Sequence, residues 1–340
     1  MVFYRKITVM VVLLLSFGVS ARGEDGKYAG AALELGLGAR PLAMGEAVVA
    51  VSGDGPLFYY NPALSALLQR PQLQLMYAPT FGGVADPMAH YHHAGAVFSL
   101  PGQASLGVSW TRFSVDEIPI YPKLNSAMTA DRLHQKNLRP SGEPLGTFTD
   151  TEDVYYFTFS KLWQPTLPLG WLFIDLPLQI PMGFNLKVLR QSAFGHSASG
   201  LGVDWGTLLK FNLATLFDRR ALGDLGIGVS VTDISRTAIL WDTKHEDRIR
   251  TAVRSGISYQ QPLRRINGEL TLCWTRYEKY QTLNLWGLEV QSHGLALRAG
   301  KNRDGFTAGA GVRLWRMQVD YAFVTLEMDG VHRLSCNLTF

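Results

Sequence analysis

The stretch Phe306-Thr307-Ala308-Gly309-Ala310-Gly311-Val312-Arg313-Leu314 places an apolar side chain at every second position and a small or polar one between. Successive side chains of a β-strand point to opposite faces, so this period predicts a strand with one apolar face. The same alternation runs through 94–100, 182–188 and 225–232. We count about 14 such segments between 71 and 340, which predicts an all-β fold.

The other face of these segments is small, polar or charged, and a soluble core would bury such charges at high cost. The segments are about 9–11 residues long, which is the length a tilted strand needs to cross a bilayer. The polar positions predicted to face a lumen include Asn185, Lys187, Asp204, Lys210, Arg254, Glu269, Arg313 and Asp320. The pattern predicts a transmembrane antiparallel β-barrel of about 14 strands. A soluble β-protein with its tryptophans in the core is the alternative, whereas in a barrel they would form interface girdles.

The N-terminus has the features of a secretory signal peptide. Arg5 and Lys6 supply the positive charge, 7–19 is a short apolar run, and Val19-Ser20-Ala21 suits cleavage after Ala21. The apolar run is too short for a comfortable transmembrane helix, which needs about 20 residues. We therefore expect 1–21 to be removed and the remaining chain to lie in the cell outer membrane.

The last residues predict a strand that guides barrel insertion. Leu334, Cys336, Leu338 and Phe340 alternate with polar residues, and the chain closes on an aromatic side chain. This arrangement resembles the C-terminal signal by which outer-membrane barrels are recognised, so the barrel-assembly machinery is an expected partner. An ordinary edge strand is the alternative.

Composition excludes some function classes and favours a membrane protein. Charged residues make up 18% of the chain, below the roughly 25% of soluble domains. The net charge of +4 is mild and no Lys/Arg run concentrates it, so we expect no nucleic-acid partner. Cys273 falls on a polar strand face and Cys336 on an apolar one, which places them too far apart for a disulfide.

Some short motifs resemble known binding or catalytic motifs, but the surrounding sequence does not support those roles. Gly36-x-Gly38 has no βαβ unit around it, and nothing in the spacing selects a serine, a histidine and an acid for a hydrolase. His90-x-His92-His93 has no cysteine or carboxylate beside it, so a solvated strand junction is favoured over a metal site. We therefore expect no enzyme, no metal and no cofactor. The longest connection, 114–151, is predicted to be an outer surface loop.

Residues 22–68 do not alternate and are too few to form a core of their own. They are predicted to pack inside the barrel formed by 69–340. Gly36-Leu37-Gly38-Ala39-Arg40, Ala43-Met44-Gly45, Asp54 and Asn61-Pro62-Ala63 resemble the N-terminal signature of the PorV/PorQ group. Leu297-Arg298-Ala299-Gly300, Asp320-Tyr321-Ala322-Phe323 and the C-terminal strand resemble the ending of the same group, which lies within the long-chain fatty-acid transporter (FadL-like) superfamily.

The resemblance implies a 14-stranded barrel with an N-terminal hatch that contains the Asn-Pro-Ala motif. It makes Arg40, Asp54, Asn61 and Pro62 candidate ligand or hatch contacts, with a structural ion pair the favoured role for Arg40. Gly45-Glu46 and Leu64-Ser65 depart from the group's usual Gly-Gly and Gly-Leu, so the hatch contacts are expected to differ.

Two functions follow from the resemblance. PorV-like members bind exported cargo proteins in type IX secretion and pass them to other secretion components for surface attachment, and this is the favoured expectation. The alternative is a FadL-like channel that takes up long-chain fatty acids or other hydrophobic compounds. A purely structural barrel is a third possibility.

Overall fold

A computed structural model of the chain describes residues 29–81, 86–121, 144–170, 174–325 and 330–340. Within these ranges one sheet contains seventeen strands. They are β1 (Gln72–Thr80), β2 (Ala89–Leu100), β3 (Ala104–Ile120), β4 (Gly146–Trp163), β5 (Thr166–Leu169), β6 (Ile174–Ala193), β7 (His196–Asn212), β8 (Asp224–Thr232), β9 (Ala238–Trp241), β10 (Glu246–Arg248), β11 (Ala252–Leu263), β12 (Gly268–Glu278), β13 (Thr282–Ser292), β14 (Leu295–Lys301), β15 (Phe306–Leu314), β16 (Met317–Thr325) and β17 (Gly330–Thr339).

Fourteen of these strands close an antiparallel barrel, as the alternation predicts. Each pairs with its neighbour along the chain except where β4 pairs β6 and β8 pairs β11, and β1 closes the ring against β17. The short β5 pairs only the start of β6, and the hairpin of β9 and β10 pairs the outer part of β7. Closure leaves no sheet edge whose backbone N–H and C=O groups would lack hydrogen-bond partners in the bilayer.

Side chains alternate between a filled interior and an apolar exterior. Thr271 is 1% exposed whereas its neighbour Leu272 is 42% exposed, which is the register the sequence predicts. The exterior carries a belt of exposed large apolar side chains, among them Leu75, Phe98, Leu106, Phe157, Phe184, Leu186, Leu201, Ile227, Ile257, Leu288, Leu297 and Leu334. This belt is the lipid-facing surface expected of an outer-membrane barrel.

The turns assign the two ends of the barrel. The pairs of strands β2–β3, β13–β14 and β15–β16 are joined by two or three residues at the end where β1 begins. Short turns of this kind lie on the periplasmic side, so we call this the periplasmic end and the opposite one the outer end. In the described residues, no helix is long and apolar enough to cross a membrane.

One sequence prediction about a connection was wrong in its extent. Both ends of the predicted loop 114–151 are strand, because β3 and β4 stay paired out to Ile120 and Gly146 after a bulge at Val115/Ile118. The strand predicted at 283–291, where the alternation is poor, is confirmed as the barrel strand β13. The predicted signal peptide 1–21 and the middle of the 114–151 segment lie outside the described residues.

Residues 29–68 form short helical turns rather than strands. They comprise 3-10 turns at Ala31–Glu34, Leu57–Tyr59 and Pro62–Leu67 and the helix α1 (Ala39–Ala43). A second short helix, α2 (Leu213–Phe217), and a 3-10 turn at Arg264–Ile266 lie in periplasmic connections. The largest buried apolar cluster joins residues 37–64 to inward side chains of the barrel strands.

Candidate functional site in the barrel lumen

A row of alternating charges ties α1 to the barrel wall. The guanidinium of Arg40 donates to both carboxylate oxygens of Glu289, at 2.9 and 2.7 Å. Glu289 also accepts from Arg298, and Arg298 donates to Asp320 at 2.8 Å. Arg298, Glu289 and Asp320 are almost completely buried. The four charges sum to zero, and their hydrogen bonds compensate for the cost of burial.

A second buried charge cluster lies between β6, β7 and the residues that follow β8. Lys187 makes ion pairs of 2.8 Å with Asp204 and with Asp233. Asn185 donates to Asp204 at 3.2 Å and to the Phe58 carbonyl at 3.1 Å, so the cluster also contacts the N-terminal segment. Asn185, Lys187 and Asp204 are inward positions that the alternation predicts.

The Asn-Pro-Ala motif packs directly on the wall. Asn61 caps the 3-10 turn by accepting from the Ala63 amide, and its own amide donates to the carbonyls of Val49 and Thr207 at 2.8 and 3.0 Å. Pro62 lies against Gly183 of β6. Asp54 accepts hydrogen bonds from Gln72 and Arg313 near the periplasmic end. All four candidate residues therefore contact the barrel or the segment itself, and whether any contacts a ligand stays a prediction.

Inward-facing glycines make room for this segment. A Cβ at Gly183 would lie 2.6 Å from the Pro62 carbonyl carbon, and one at Gly300 would overlap the backbone of Met44 and Gly45. Similar close approaches to residues 43–61 occur at Gly206, Gly226, Gly228, Gly256, Gly287 and Gly309. We call these positions the glycine track. It follows the wall from β6 to β15, where backbone or side-chain atoms of the segment lie directly on the strands.

The outer half of the lumen contains an apolar, aromatic layer. Phe58 and Tyr59 of the segment make edge contacts with Tyr156 of β4, with ring centroids 5.4 and 6.3 Å apart. Inward side chains from other strands and from outer connections complete the layer: Tyr91, Val154, Leu189, Ile239, Ile249 and Tyr277. From the sequence, only the tryptophans were assigned, to membrane girdles, and this inner layer was not predicted, although Tyr91 and Tyr156 occupy positions whose period places them inward.

Two buried arginines lie beside this layer without a carboxylate hydrogen-bond partner in the described residues. Arg333 donates to the carbonyls of Gly36 and Leu35 at 2.9 and 2.6 Å, and its guanidinium lies over the Tyr91 ring. Arg254 lies over the Tyr277 ring at 4.5 Å. Burial raises the pKa of Glu46, and the positive charges of Arg254 and Arg333 oppose that rise.

The periplasmic end of the lumen is a polar vestibule of about 860 Å³. Arg40 and Asp54 reach its inner surface, and Arg70 and Arg316 lie at its rim. Eight glutamines among the described residues line it: Gln69, Gln72, Gln103, Gln164, Gln179, Gln260, Gln291 and Gln318. The lumen thus has an aromatic layer with buried charges beside it towards the outside, and a hydrogen-bonding vestibule towards the periplasm.

The C-terminal strand has the predicted orientation. Leu334 is 52% exposed and points outward with Cys336 and Leu338, while Ser335 and Asn337 are buried inside. Cys273 is buried on the inner face, and both cysteines are free. His90 and His92 are half-exposed whereas His93 is buried. The described residues contain no group of three or more histidine, cysteine or acidic side chains placed to bind a metal.

Comparisons with known proteins give distant matches only. No protein-family model and no curated protein matches the chain. Among solved structures it is similar to the Pseudomonas putida toluene transporter TodX, at 12% identity over 89% of this chain and 96% of that one, with a TM-score of 0.45. A TodX deltaS2S3 mutant, a monoaromatic hydrocarbon channel, shares 11% identity over 89% and 97% of the two chains, also at 0.45. CdiB from Acinetobacter baumannii shares 9% identity over 80% and 60%, at 0.29.

Proposed function

We propose that this outer-membrane barrel is a channel for hydrophobic small molecules, such as long-chain fatty acids, with residues 22–68 as its hatch. The observation that carries the proposal is the apolar, aromatic layer in the outer half of the lumen. The interior of a membrane barrel is usually polar. Hydrophobic ligands usually bind to apolar surfaces that carry few polar groups.

The two parts of the N-terminal segment are held differently. Residues 39–63 lie on the glycine track and are fixed by the Arg40–Glu289 ion pair and by Asn61. The first turn, Ala31–Glu34, is attached by side-chain contacts: Tyr59 donates to the Leu33 carbonyl, and Glu34 accepts from Tyr277 and pairs with Lys279. We propose that this turn covers the apolar layer and moves aside when a ligand enters.

An engineered disulfide tests this movement. A Cβ at position 30 would lie 3.1 Å from Cγ1 of Ile249, which brings cysteines at the two positions within reach of each other. In cells that express Gly30→Cys/Ile249→Cys, oxidation should abolish uptake of a labelled long-chain fatty acid and of a labelled aromatic hydrocarbon. Reduction of the same cells should restore uptake, and either single variant should be insensitive to the oxidant. Unchanged uptake after complete cross-linking would contradict the proposal.

Binding of exported cargo in the manner of the PorV/PorQ group is the second candidate. The observation that favours it is the outer hairpin of β3 and β4, which continues well past Trp110 to Ile120 and Gly146. Trp110 of β3 lies opposite Tyr155 of β4, and both side chains point out of the barrel. Outward aromatic residues near strand ends mark the membrane interface. A hairpin above that level offers a rigid surface for a folded cargo domain and for type IX secretion components.

A deletion strain separates the two candidates. Loss of hydrophobic-compound uptake with normal surface attachment of exported proteins supports the channel. The reverse result, together with the same loss when the β3–β4 hairpin is trimmed to the Trp110 level, supports cargo binding.

A further inference from the structure

Two neighbouring periplasmic connections carry four arginines. Arg219 and Arg220 follow α2 between β7 and β8, and Arg264 and Arg265 lie in the turn between β11 and β12. Because β8 pairs β11 in the barrel, the two connections are adjacent on the rim. The Arg264 guanidinium donates to the Arg220 carbonyl at 2.7 Å and joins them. We call these four residues the arginine rim.

The charge of the arginine rim is largely uncompensated. All four arginines are exposed. Within the described ranges, the side chains of Arg219, Arg220 and Arg265 form no hydrogen bond or ion pair, and Arg264 bonds only to a carbonyl. Asp218 is the acidic residue of these two connections, which leaves a local net charge of about +3.

Exposed apolar side chains accompany these charges. Phe217 at the end of α2 is 59% exposed, and Ile266 beside Arg265 is 44% exposed. On the lipid-facing side of the same strands, the apolar belt ends next to these connections. Its last members there are the cross-strand neighbours Phe211, Leu225, Tyr259 and Leu272. The arginine rim therefore lies at the level where lipid headgroups begin.

We propose that the arginine rim binds the phosphate of an anionic phospholipid in the periplasmic leaflet. Guanidinium groups pair with phosphate in a bidentate way, and Phe217 and Ile266 would contact the adjoining acyl chains. Arginines near an anionic membrane surface strengthen binding about fivefold each. An acidic segment of a periplasmic protein would meet the charges but not the apolar residues at the membrane level.

The test uses the full-length protein reconstituted in a bilayer with equal amounts of phosphatidylglycerol and phosphatidylcholine. The measurement is the ratio of the two lipids retained after mild extraction, read by native mass spectrometry. The wild type should retain phosphatidylglycerol preferentially. Arg219→Gln/Arg265→Gln removes two arginines without intramolecular partners in the described part of the chain and should lower that preference about 25-fold.

The matched control is Arg70→Gln/Arg316→Gln, which removes two charges from the vestibule rim at the same end of the barrel. It should retain the wild-type lipid ratio. Equal ratios in all three proteins, or an equal loss in both double variants, would overturn the proposal, because the first shows no site and the second only a general charge effect. A wild type without lipid preference would also overturn it, and would direct attention to an acidic protein partner.

Discussion

Glu289 is shared between two arginines, and this makes its role different from that of Arg40. If Arg40 is replaced by methionine, Glu289 keeps its bond to Arg298. If Glu289 is replaced by glutamine, Arg298 keeps Asp320, but Arg40 is left as a buried charge without a carboxylate partner among the described residues. Removing one partner of a buried ion pair costs about 3–5 kcal/mol.

We therefore expect Glu289→Gln to lower the free energy of unfolding by about 3–5 kcal/mol and Arg40→Met to lower it by less. Urea unfolding of the barrel in phospholipid vesicles measures both. The Arg298–Asp320 pair remains intact in Arg40→Met, which serves as the matched control. If Arg40→Met proves the more damaging of the two, Glu289 is not the centre of this network.

At the scale of elements, the glycine track predicts that the N-terminal segment can be displaced while the barrel still assembles. Ala at position 183 or 300 would place a Cβ on the backbone of the segment, whereas nothing lies within 4 Å of a Cβ at Gly146. Gly183→Ala and Gly300→Ala should therefore yield heat-modifiable barrels in which residues 29–68 become accessible to protease. Gly146→Ala should protect them like the wild type, and protection of the segment in all three variants would contradict a tight fit at the track.

The strands could be predicted from the sequence because a one-residue register shift would exchange every lipid-facing and inward side chain. This is why the outward Leu272 and Leu334 and the inward Lys187 and Asp204 were correctly placed. Strand ends were less predictable. β3 continues past Ser114 because backbone pairing does not require an apolar face once a strand has left the bilayer.

The site was less predictable than the strands, since it depends on contacts between residues far apart in the chain. No local pattern connects Arg40 with Glu289 or Asn61 with Thr207. A signal for the close packing did exist in the glycines at inward positions, since a glycine within a strand often marks close approach of another backbone. Three consecutive strands carry such positions: Gly287, Gly300 and Gly309.

At the scale of the whole molecule, the lumen combines an aromatic layer in its outer half with a polar vestibule, and residues 39–63 extend from one to the other. A hydrophobic solute gains free energy by leaving water for the apolar layer, but gains nothing from the glutamines beyond it. This part of the N-terminal segment thus separates the two environments. The first turn, Ala31–Glu34, covers only the outer one.

Two deletions of different length should therefore have different effects. Removing 24–35 should uncover the apolar layer and leave the lumen closed to ions, because the glycine track still holds 39–63. Removing 24–68 should leave an assembled, heat-modifiable barrel, since its strands are intact, and should raise its conductance in planar bilayers. Conductance that rises fully with the short deletion would show that the first turn alone closes the lumen. Conductance unchanged by the long deletion would show that residues 24–68 do not close it at all.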